Sequence, residues 1–185
     1  MADIFQNLVD SSHPHYHSER YRQELDDIER DLESILNGKY VAETHRRAPT
    51  ANLSIEDMDF FDLEAYRLAA LIYLERVSGN LSGTSSKIDR WANSAFNLLE
   101  NLGSLKHSFP IFIIGCEART DEQRLVILDC IQRNQSFLPS ATMDMVHDML
   151  QSAWAMEDLE TERELDYVAK LDTLISGCET MPSFA

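Results

Sequence analysis

FPIFIIGCEARTDEQR, the stretch from Phe109 to Arg124, decides how the whole chain is read. Pro110 suits the first turn of a helix, where its missing N–H would have no partner in any case. Ile111, Phe112, Ile113 and Ile114 leave no polar side on that helix, which is predicted over about Pro110 to Ala118. A helix apolar all round belongs in the middle of a protein. Gly115 weakens a helix but lets a neighbour approach closely. Thr120, with Gln123 three residues later, forms a capping box that opens the next helix, Asp121 to about Arg133. Val126, Ile127, Cys130 and Ile131 are its buried face.

Upstream, Ser18 is the N-cap of a helix that runs to about Asn37 and stops at Gly38. Its stripe, Tyr21, Leu25, Ile28, Leu32 and Ile35, recurs at spacings of four, three, four and three. Residues 39–57, with His45-Arg46-Arg47 and Pro49, are polar and irregular and give a loop. A helix over about Asp59 to Val77 buries Leu63, Ala70, Leu71, Leu74 and Val77. After SGNLSG, a helix from Thr84 or Ser85 carries Ile88, Trp91, Ala95, Leu98, Leu99 and Leu102 inward and stops at Gly103.

Downstream, Ser140 caps a helix through Met156, buried by Met143, Val146, Met149, Leu150 and Trp154. A last helix spans about Glu160 to Ser176, with Leu165, Val168, Leu171, Leu174 and Ile175 as its stripe and Gly177 as its stop. The expectation is an all-α fold, an irregular bundle of about seven helices with antiparallel neighbours. Residues 1–17 form an N-terminal arm, and 18–185 a single helical domain.

The composition agrees with a globular chain: 44% hydrophobic and 26% charged residues can build a core without disulfides. Acidic residues number 32 against 16 basic, a net charge of -16, which repels phosphate backbones and anionic membranes. No direct nucleic-acid contact through this chain is expected, and no membrane contact. A basic partner suits the charge. Cys116, Cys130 and Cys178 form no CxxC pair and are expected as reduced thiols of a nuclear or cytoplasmic protein. No apolar run approaches the ~18 residues of a membrane helix, and MADIFQNLVD has no basic n-region of a signal peptide.

Few residues point to chemistry. His13, His15 and His17 alternate in the arm, but a metal site needs a fourth ligand and a supporting shell. Asp26, Asp27 and Asp31 resemble the aspartate-rich magnesium motif of terpene cyclases. Arg30, however, stands where that motif has its third acid, and Arg20, Arg22 and Arg30 make this an ion-paired surface. Glu157, Asp158, Glu160, Glu162, Glu164 and Asp166 suit the positive end of a helix dipole. Cys116 beside Glu117 has no histidine close in sequence and reads as a small buried hydrophobe. With no nucleophile elbow, P-loop, dinucleotide fingerprint or HExxH, no enzyme, metal or cofactor is expected.

Phe109-Pro110-Ile111-Phe112-Ile113-Ile114-Gly115-Cys116-Glu117-Ala118 and Thr120-Asp121-Glu122-Gln123-Arg124 resemble the hallmark of the fungal-specific transcription factor domain. Ala65 to Leu74 resembles that family's preceding helix, ending here in Tyr73-Leu74-Glu75-Arg76. Trp154 and the terminal Pro182-Ser183-Phe184-Ala185 fit its closing stretch. The resemblance covers about Ala65 to Ala185. Members usually carry a six-cysteine zinc cluster that binds DNA; three cysteines cannot build one, so DNA binding would be encoded outside this sequence. The resemblance implies a regulatory, protein-interaction domain, with a homodimer as a reasonable arrangement. Sterol-responsive members bind a small hydrophobic ligand, and Phe112, Met145, Met149 and Trp154 are the residues that would line such a cavity here. A cyclase-like helical enzyme is the third reading, carried by Asp27 and Asp31.

Overall fold

Ser18 lies in extended backbone and its hydroxyl accepts the Tyr21 N–H at 3.2 Å, so the chain enters its first helix at the expected cap. The structure, a computed structural model, describes residues 18–35, 55–79, 83, 85–102, 105, 107–135, 140–159 and 166–177. Seven helices fill them: α1 (Glu19–Ser34), α2 (Ile55–Gly79), α3 (Ser86–Asn101), α4 (Ser108–Gly115), α5 (Asp121–Asn134), α6 (Ser140–Leu159) and α7 (Tyr167–Ser176). No strand occurs among the described residues, and none of these helices is long and apolar enough to cross a membrane. The arm expected over residues 1–17 lies outside the described residues, as do 36–54, 160–165 and 178–185; of the loop expected over 39–57, residues 55–57 are instead the first turn of α2, which starts four residues before Asp59.

α4 is the centre. From Pro110 to Gly115 every residue is buried, and the helix touches α2, α3, α5 and α6. Around it pack Leu68, Leu71 and Ile72 of α2, Ile88 and Leu99 of α3, Ile127 of α5, and Met143 and Leu150 of α6, all essentially inaccessible to water. α4 starts two residues earlier than expected, which still leaves Pro110 in the first turn, where no N–H is needed. It also ends earlier. The amides of Glu117 and Ala118 reach back only three residues, to the carbonyls of Ile114 (3.0 Å) and Gly115 (3.1 Å), so the chain tightens into a turn. The capping box of α5 is present: the Thr120 hydroxyl accepts the Gln123 N–H, and the Gln123 side chain accepts the Thr120 N–H, both at 3.3 Å.

A second, smaller cluster joins Tyr21 of α1, Leu74 and Val77 of α2, and Tyr167 of α7. Both the first and the last helix therefore lean on α2. α7 begins at Tyr167, not near Glu160, because the Asp166 carboxylate accepts the Ala169 N–H at 2.6 Å and so serves as the cap.

Two residues expected on buried faces are exposed. Ala65, Leu68, Ala69 and Ile72 make the inward stripe of α2. Leu63, two positions before Ala65, is rotated about 200° from it and is 47% exposed. Ile35 is the C-cap of α1, past its last packed turn, and is 48% exposed. Ala70 is half-buried.

The centre has no spare room at Gly115. A Cβ placed there would lie 2.7 Å from both methyls of Leu150 and 3.3 Å from Cγ2 of Ile127. Gly115→Ala is predicted to cost about 1–3 kcal/mol by overpacking, and Gly115→Leu more. Urea unfolding followed by circular dichroism reads this, and an unchanged midpoint for Gly115→Leu would remove α4 from the core.

Candidate functional site

Two charges are buried here: Arg76 near the end of α2, and Glu117 in the turn after α4. They are 3% and 5% exposed, and they meet. Arg76 Nε donates to Glu117 Oε1 at 2.9 Å and Nη2 to Oε2 at 2.7 Å, a two-pronged contact between residues 41 apart in sequence. Arg76 Nη1 also donates to the Gly83 carbonyl at 2.6 Å. Burial alone would weaken the guanidinium charge, but the hydrogen bond and charge of Glu117 outweigh it and raise the Arg76 pKa further. Arg119 adds a longer contact to Glu117, 3.9 Å, and a second to Asp89, 3.5 Å.

Around this pair the Gly115-Cys116-Glu117-Ala118 turn is held residue by residue. The Gly115 carbonyl accepts the Trp154 indole N–H at 2.9 Å. Arg124 Nε donates to the Ala118 carbonyl at 3.5 Å. The same guanidinium forks onto Asp158 at 2.7 and 2.9 Å and lies 5.6 Å from the Trp154 ring centre. Tyr167 of α7 places its ring 5.8 Å from the Arg76 guanidinium.

The cluster holds rather than reacts. Burial first, then the neighbouring Glu117, pushes the Cys116 thiol up to about 12, so the nucleophilic thiolate is suppressed. Burial likewise pushes the Cys130 thiol up to about 11 and raises the phenols of Tyr73 and Tyr167. The arginine and glutamate are engaged with each other in a two-pronged fork, and both are buried away from solvent.

Elsewhere, the residues singled out in the sequence are dispersed. His13, His15 and His17 lie outside the described residues, as do Glu160, Glu162 and Glu164. Asp26, Asp27 and Asp31 sit on exposed faces of α1. Asp27 pairs with Arg30 at 2.7 Å, beside the pairs Arg20–Glu24 and Arg22–Glu19. Among the described residues no three histidine, cysteine or acidic side chains are placed to hold a metal. Phe112, Met149 and Trp154 are built into the main core, and Met145 packs against it. An open groove of about 180 Å³ lies instead between α1, α2 and α3, lined by Leu25, Leu71, Leu74 and Trp91 with charged residues around them. Lys87 crosses there to Glu29 at 2.8 Å and to Glu75 at 3.5 Å.

A profile of the fungal-specific transcription factor domain matches residues 1–176. Transcription factor iacI of Pestalotiopsis fici is 35% identical over 128 residues, covering 69% of this chain and 33% of that protein. The chain thus spans about a third of the length of that relative. No solved structure matches.

The thiols and phenols of the core set an alkaline limit. Their pKa values are raised in the folded state, so their contribution is complete below the unfolded values, 9.0 for cysteine and 10.0 for tyrosine. It is lost as the pH climbs, because the unfolded chain releases protons that the folded one keeps. Urea midpoints are predicted to fall steadily from about pH 9 upward; a flat profile to pH 11 would show that these groups ionise freely in the folded protein.

Proposed function

The chain belongs to the fungal-specific transcription factor domain family, and from that premise we propose that it is the regulatory, protein-contacting part of a transcription regulator. The family match over residues 1–176 is the observation that carries this reading. The surface supports it. With a net charge of -16 the chain repels the phosphates on which DNA affinity depends, so the grip on DNA belongs to other sequence. The segments that resemble the family's hallmark are occupied in holding α2, α4 and α6 together, which fits a scaffold for contacts made at its surface.

That surface offers apolar points to a partner. Leu125 and Leu159, each next in sequence to one end of the Arg124–Asp158 bridge, are 64% and 81% exposed. Large apolar side chains beside a fixed ion pair are the raw material of a protein interface, whether with another protein or with a second copy. The working compartment in this reading is the nucleus.

The test has two arms. Fused to a heterologous DNA-binding module, the chain is expected to change the output of a reporter in a fungal host, and Leu125→Asp with Leu159→Asp to reduce that change. Alone, it is expected not to retard duplex DNA at about 0.15 M salt. A silent fusion, or tight DNA binding by the chain itself, would overturn the reading.

A further inference from the structure

α7 is short and only lightly committed to the core. Ten residues cannot hold a helix alone, and its buried side chains are Tyr167 and Leu174. Leu174 reaches the main core, whereas Tyr167 belongs to the smaller cluster on α2. There the Tyr167 ring covers Arg76, and with it the bond to Glu117.

The polar fit beneath α7 is incomplete. The Tyr167 hydroxyl is buried without a hydrogen-bond partner, and so is Oε2 of Glu157 on α6. Lys170 of α7 approaches that oxygen only to 3.9 Å, too far for a hydrogen bond. Both oxygens regain water when α7 leaves, so each opposes closure. The Arg76–Glu117 fork and the Trp154 bond to Gly115 are made without any atom of α7, and neither needs to break for it to depart.

We propose that α7 is a releasable latch. It comes off α2 and α6 as its own unit while the core around α4 stays folded, and its release opens the Arg76–Glu117 pair to solvent. Local openings of this kind take less free energy than global unfolding and supply the two states that a regulated domain requires. The proposal stands on the packing alone, independently of the reading as a transcription regulator.

Hydrogen exchange of the intact chain, followed by mass spectrometry of its peptides, tests it. The amides of α7 are expected to exchange well ahead of those of α4 and α5. Tyr167→Phe, which removes only the unpartnered hydroxyl, is expected to slow α7 exchange by about tenfold and to leave α4 unchanged. Exchange of α7 in step with α4 would overturn the latch. So would a Tyr167→Phe variant whose α7 exchanges as fast as the parent or faster.

Discussion

The buried fork between Arg76 and Glu117 is the constraint on which the rest of the arrangement depends. It ties the end of α2 to the turn that follows the central helix, across 41 residues of sequence. Neither charge has water to fall back on, so each is tolerable only with the other in place. A displacement of α2 along α4 would part the fork and leave two uncompensated charges inside the protein. Apolar packing tolerates small slips with little penalty; this contact does not. It therefore serves mainly to specify how α2 and α4 sit, and contributes less to the depth of the free-energy well.

The other contacts of the turn read as support for that placement. Gly115 allows Leu150 of α6 to close against α4, and its carbonyl anchors Trp154. Arg124 spans from the Ala118 carbonyl to Asp158 and lies against the same indole. One side of the turn is thus held by α2 and the other by α5 and α6. The side chains that could carry chemistry here, a thiol and a phenol, are kept protonated by burial. This explains why a short motif can mark a family without marking an active site.

Much of the architecture was legible because it rests on local signals. Pro110, the all-round apolarity of Ile111 to Ile114, Gly115 and the Thr120–Gln123 box together place the central helix and its successor. The fork was not legible as a pair. Periodicity says which face of a helix is buried, and says nothing about which distant residue lies opposite. The signal that could have found it was weak but present: Glu117 is a lone acid closing an apolar run, and Arg76 falls on the buried side of α2. Local context also misled at Leu63, whose hydrophobicity outweighed its place on the helical wheel. Asp166 was lost for a different reason: a cap cannot be picked by type from a series of acids that would all serve. A ligand cavity and a packed core draw on the same side chains, so residue type alone does not tell whether Phe112, Met145, Met149 and Trp154 line one or build the other.

The central claim is that Arg76 and Glu117 act as one unit. A double-mutant cycle in urea with Arg76→Met, Glu117→Leu and the double variant measures this directly. Each single change should cost about 3–5 kcal/mol by stranding a buried charge, and the double variant far less than their sum. Additive costs, or two single variants as stable as the parent, would contradict the account.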